Sequence, residues 1–92
     1  MKYVTIVVSG RVQMVLFRDY AKREADKLSI VGDVQNVPDG TVLVRAWGEQ
    51  RSLTAFIDQL SSGSPLSRVD KVDQIWENKT YEMQELIFKI IC

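Results

Sequence analysis

Two stretches of helical apolar spacing interrupt a chain otherwise patterned for strands, and the order of these segments leaves few ways to fold. From Tyr3 to Ser9 the residues are mainly β-branched and aromatic. Val4, Ile6 and Val8 share one face by the two-residue period, and Gly10 ends the run. From Phe17 to Leu28 the spacing becomes helical, with Phe17, Tyr20, Ala21, Ala25 and Leu28 on one side. Lys22, Arg23, Asp26 and Lys27 lie mostly on the other, as expected of a helix half buried against a sheet.

A second strand is expected over Ile30 to Asn36 and a third over Thr41 to Trp47. The Pro38-Asp39-Gly40 turn joins them, because proline fixes one dihedral and glycine is free to take positive φ. Val42, Val44 and Ala46 form the core face of the third strand. Leu43 and Trp47 then point away from the helices, where, with Val7, they either cover one another or offer a protein contact. Leu53, Phe56, Ile57 and Leu60 place a second helix over residues 50–61, stopped by Ser61-Ser62-Gly63-Ser64-Pro65. A further strand fits Val69 to Glu77, a polar loop Asn78 to Gln84, and a final short strand Leu86 to Ile91.

This order amounts to two split βαβ units and a terminal strand. The expected fold is an α+β ferredoxin-like sandwich, with one antiparallel sheet carrying both helices on one face. The 92 residues suit a single domain spanning the whole chain. This architecture hosts many functions, so function has to come from particular residues.

Composition narrows the chemistry. Twelve basic residues balance twelve acidic ones, and a net charge of zero argues against general nucleic-acid binding. Nor does any strand carry the clustered exposed aromatics of an RNA-recognition motif. There is no histidine, which removes the usual general base and the commonest metal ligand. The single cysteine, Cys92, allows neither an intrachain disulfide nor a cysteine metal cluster. Any chemistry is therefore expected to run without imidazole and without a bound metal. No stretch approaches the length of a membrane span, and the apolar start, Met1 to Val8, is too short for a signal-peptide core. A cytoplasmic protein with no membrane partner is expected.

The informative segment is Gly10-Arg11-Val12-Gln13-Met14-Val15-Leu16-Phe17-Arg18, between the first strand and the first helix. Backbone N–H groups in such a turn can converge on one point. The following helix start adds unpaired donors and a positive dipole end, which makes a ready anion cradle. Arg18, at the helix entrance, can add a bidentate contact to phosphate oxygens. Spacing alone equally allows a solvated arginine beside an ordinary turn. Asn36 likewise reads either as a hairpin-flanking residue or as a functional amide.

The loop resembles the acylphosphatase signature, in which glycine, any residue, Val-Gln-Gly-Val, any residue and Phe-Arg follow the first strand. Gly32, Asn36, Gly40, Val42 and Gly48 fall at the spacing of that family's second motif. Gly63-Ser64-Pro65, Val69, Val72, Phe88 and Ile90 continue the likeness, which spans nearly the whole chain. The resemblance implies that Arg18 binds a substrate phosphoryl group and that Asn36 orients the attacking water. It implies a phosphate-binding loop made by the backbone donors of Gln13, Met14, Val15, Leu16, Phe17 and Arg18. The implied substrates are small-molecule acyl phosphates, cleaved to a carboxylate and inorganic phosphate with no cofactor. Apart from the resemblance, a monomer is expected.

Elementary chemistry agrees with that implication. An acyl phosphate has a good leaving group, so positioning and charge stabilisation can supply most of the rate. Two residues depart from the family pattern. Met14 stands where the signature has glycine, and Asp33 follows Gly32 where an aromatic residue is usual. If Met14 crowds the cradle, or Asp33 faces it, the alternative is a weakly active or non-catalytic anion-binding module of the same fold.

Overall fold

The alternation of side chains along each strand decides which face is buried. The computed structural model, which describes residues 1–78 and 87–91, places every expected element in order. These are β1 (Lys2–Arg11), α1 (Phe17–Lys27), β2 (Val31–Asn36), β3 (Val42–Gly48), α2 (Gln50–Ser62), β4 (Arg68–Glu77) and β5 (Phe88–Ile91). Of the expected polar loop from Asn78 to Gln84 only Asn78 is described, and it lies outside any strand. The rest of that loop, Leu86 and Cys92 lie outside the described residues.

The five strands form one sheet in the order β4-β1-β3-β2-β5. In the β1–β3 register Val4 faces Ala46, Ile6 faces Val44 and Val8 faces Val42. All six are fully buried. Val34 and Phe88 extend this apolar face across β2 and β5, and Phe17, Ala21 and Ala25 of α1 with Leu53, Phe56, Ile57 and Leu60 of α2 close over it. Helix α1 packs over β2 and β5, while α2 packs over β1, β3 and β4. Phe56 and Phe88 meet edge to face across the core, centroids 5.7 Å apart. Burying a side chain of this size stabilises the fold by about 1.5–3 kcal/mol.

On the opposite face Tyr3 and Trp47 are cross-strand neighbours with ring centroids 4.2 Å apart. Leu43 and Val7 are also paired and half-buried. These residues cover one another within the sheet.

Two expectations need correction. The sheet is mixed rather than antiparallel, because β5 runs parallel to β2. Strands β1 and β2 are both antiparallel to β3, and β4 is antiparallel to β1. The last strand therefore runs opposite to β4 at the far edge, which aligns it with β2. Apolar alternation in a strand says nothing about the direction of its neighbour.

Gly10 also does not end β1. The strand continues to Arg11 through a register shift against β4 at Ser9 and Gly10. Gly10 has φ 128°, and a Cβ there would collide with the Arg68 carbonyl oxygen, so the irregularity needs glycine.

Candidate active site

The loop from Val12 to Leu16 owes its shape to alternating backbone hand. Met14 has φ 59° and Leu16 φ 62°, both left-handed, while the residues flanking them do not have positive φ. Each left-handed non-glycine residue costs roughly 1–2 kcal/mol, which the surrounding packing has to offset. The alternation sends side chains both ways. Val12 is buried and Val15 packs on the core, whereas Met14 and Leu16 turn outward, 97% and 66% exposed. Such alternation of hand also curves successive N–H groups toward a common point.

The N–H groups of Gln13, Met14, Val15 and Leu16 donate to no protein acceptor among the described residues. Leu16 is the N-cap of α1, and no side chain caps the helix. A serine, threonine or aspartate there would satisfy one first-turn donor; leucine leaves those donors open beside the positive end of the helix dipole.

Arg18 is half-buried at this helix start, and its Nη1 donates to the Ile91 carbonyl oxygen at 3.3 Å. That bond rests the guanidinium against the end of β5, and its other N–H groups meet no acceptor among the described residues. A pocket of about 300 Å³ lies between loop and sheet edge. Val12, Met14, Leu16 and Phe17 line it from the loop, Arg18 and Asp19 from α1, and Ile90 from β5.

Gln13 does not line this pocket. Its Nε2 donates to the carbonyl oxygens of Val37 and Thr41, both at 2.8 Å, tying the loop to the β2–β3 turn. That turn is itself closed by Val37 N–H to Thr41 O at 2.9 Å and Gly40 N–H to Val37 O at 2.9 Å. Asp39 Oδ1 accepts from the Thr41 N–H at 3.0 Å and from the Thr41 hydroxyl at 2.7 Å. These hydrogen bonds, the hydroxyl's first, hold the Asp39 carboxyl below its usual pKa.

Asn36 ends β2 opposite Val42 and precedes that turn. It too lies outside the pocket lining. Its Oδ1 is buried and accepts no hydrogen bond among the described residues. A buried carbonyl oxygen without a donor costs about 1–3 kcal/mol, so Asn36 holds an unmet polar group beside the β2–β3 turn.

The two departures are resolved by direction. The Met14 thioether extends into solvent instead of filling the loop. Asp33 faces the side of the sheet away from the helices, where Arg45 Nε and Nη2 donate to its two carboxylate oxygens at 2.9 and 2.6 Å. The carboxylate's hydrogen bonds raise the Arg45 pKa. Two residues beside the site escaped sequence reasoning: Asp19, whose position immediately after Arg18 was the available signal, and Ile90, which only the sheet order brings near.

Arg11 is exposed opposite Arg68 and outside the pocket lining. Among the described residues no group of three or more His, Cys, Asp or Glu side chains is placed to hold a metal ion. No described helix is long and apolar enough to cross a membrane.

The family model described as Acylphosphatase matches residues 4–90. An acylphosphatase of Nocardioides sp. is 46% identical over 70 residues, covering 76% of this chain and 71% of that one. One of Archaeoglobus fulgidus is 42% identical over 84 residues, covering 90% and 94%. The crystal structure of acylphosphatase from Bacillus subtilis superposes with a TM-score of 0.94 at 34% identity, covering all of both chains.

Proposed function

This chain belongs to the acylphosphatase family, and from that premise we propose that it hydrolyses acyl phosphates with Arg18, the loop amides and Asn36 as its working groups. The products are a carboxylate and inorganic phosphate. One observation carries the assignment of groups: a run of N–H donors without acceptors among the described residues, in a loop of alternating hand, stands beside a guanidinium at an uncapped helix start.

Each group has a physical task. The amides of Gln13 to Arg18 and the Arg18 guanidinium hold the non-bridging phosphoryl oxygens, where charge is spread in the transition state. Asn36 orients a water through its side-chain amide and aims it at phosphorus, opposite the leaving carboxylate. The water oxygen forms the new P–O bond as the bond from phosphorus to the carboxylate oxygen breaks. Asparagine is too weak a base to take the water proton, so that proton passes to a phosphoryl oxygen. The carboxylate leaves unprotonated, which is why the lack of histidine costs little here.

The non-catalytic alternative loses its two grounds. Met14 is turned out of the cradle, and Asp33 is paired with Arg45 on the other face of the sheet.

The test is phosphate release from acetyl phosphate with chelator present, for wild type, Arg18→Ala and Asn36→Ala. Turnover by wild type that falls at least a hundredfold in each variant is expected, the scale of losing one preorganised donor. Equal background rates in all three would overturn the proposal.

A further inference from the structure

The outward turn of Met14 and Leu16 puts two large apolar side chains in solvent at the rim of a pocket, each held there by a strained backbone. Singly exposed apolar residues are ordinary, and Leu66 and Ile75 are also exposed here; what sets Met14 and Leu16 apart is that they adjoin one another at a pocket whose walls are apolar. Behind them the walls are also apolar: Val12, Phe17 and Ile90. Among the described residues, Arg18 and Asp19 are the charged ones lining this pocket.

Building on the phosphoryl-binding reading above, we infer that Met14 and Leu16 make this site selective for acyl phosphates whose acyl group is apolar and carries no second negative charge. The loop amides and Arg18 fix the phosphoryl end, so the acyl end has to run along the remaining walls. An aromatic ring or alkyl chain there covers hydrocarbon and thioether that otherwise face water. An acyl group bearing a carboxylate or a second phosphate instead meets Asp19, and the described lining offers it no cation besides Arg18, which already holds the phosphoryl end. Glycine at position 14 supplies none of this contact. The residue that departs from the family signature therefore becomes a specificity determinant.

Binding of simple phosphomonoesters measures this apart from turnover. Calorimetry with phenyl phosphate and methyl phosphate, on wild type, Met14→Gln, Met14→Leu and Arg18→Ala, separates the possibilities. Wild type is expected to bind phenyl phosphate about tenfold more tightly than methyl phosphate, the discrimination that a small apolar contact supplies. Met14→Gln, similar in length but polar, is expected to cut that ratio below about threefold. Met14→Leu is expected to keep it; leucine already occupies a closely similar positive φ at position 16. A wild-type ratio near one, or a ratio that Met14→Gln leaves unchanged, overturns the inference while loss of both ligands in Arg18→Ala still upholds the phosphoryl site. Binding of neither ester to wild type, or binding that survives Arg18→Ala, removes the phosphoryl site and the selectivity with it.

Discussion

Asp33 and Arg45 stand directly opposite each other on β2 and β3, joined by two hydrogen bonds on the face of the sheet that the helices leave uncovered. The aspartate side chain is 11% exposed and the arginine 43%. Arginine can therefore recover solvent when its partner is lost, and Asp33→Ala is expected to cost about 1–2 kcal/mol, below the penalty for breaking a fully buried pair. Phosphate affinity is expected to stay at the wild-type value. Urea denaturation and a phosphate titration of the same variant check both halves.

The β2–β3 turn makes part of the fold's stability sensitive to acid. The Asp39 carboxyl is held below its usual pKa by its bonds from Thr41. A depressed carboxyl stabilises the folded state above its unfolded pKa and loses that contribution as pH falls through the folded value. The melting temperatures of wild type and Asp39→Ala are thus expected to differ by a constant amount from neutrality down to about pH 5 and to converge as the pH falls below the usual carboxylate range. A difference that grows on acidification would give the linkage the wrong sign. Thermal melts across that range decide it.

Gln13 positions the loop through the same turn. Replacing it with alanine removes both bonds from Nε2, yet the Val37 and Thr41 carbonyl oxygens keep their backbone donors. The expected loss is about 1–2 kcal/mol. For a domain of this size each kcal/mol moves the melting temperature by about 4–8 °C. Gln13→Glu is expected to be worse than alanine, because it turns a carboxylate toward two carbonyl oxygens. Side-by-side melts of the two variants give the ranking.

Met14 carries strain that glycine would relieve. Its φ of 59° costs a side chain about 1–2 kcal/mol. Glycine returns roughly 0.5–1 kcal/mol of that as unfolded-chain entropy. Met14→Gly is expected to be neutral to about 1 kcal/mol more stable. Met14→Val is expected to be clearly less stable, because a β-branched residue tolerates positive φ poorly. Equilibrium unfolding of the pair measures the difference.

Much of this was legible in the residues, for a common reason. Leu53, Phe56, Ile57 and Leu60, and Val42, Val44 and Ala46, follow spacings that local geometry dictates, and all seven are buried as the periods require. The direction of β5 was not legible, since it depends on which edge the chain reaches after β4. Gly10 misled because glycine both ends strands and permits bulges, and only the position of Arg68 on the neighbouring strand distinguishes the two. The side of the sheet taken by Asp33 follows from Val34 being in the core, but its partner emerges only from the β2–β3 register. In the site, the motif marked the loop and Arg18. That Met14 and Leu16 share a left-handed backbone, and that Asp19 and Ile90 complete the pocket, are facts of three-dimensional packing.

The claim on which the function rests is that the amides of Gln13 to Arg18, together with the Arg18 guanidinium, bind a phosphoryl group. Titrating inorganic phosphate into the ¹⁵N-labelled protein observes those amides one by one. Saturable shifts at residues 13–18 and at the Asn36 side-chain amide are expected, all of them lost in Arg18→Ala. Shifts clustered elsewhere on the fold, or an unchanged pattern in Arg18→Ala, would contradict it.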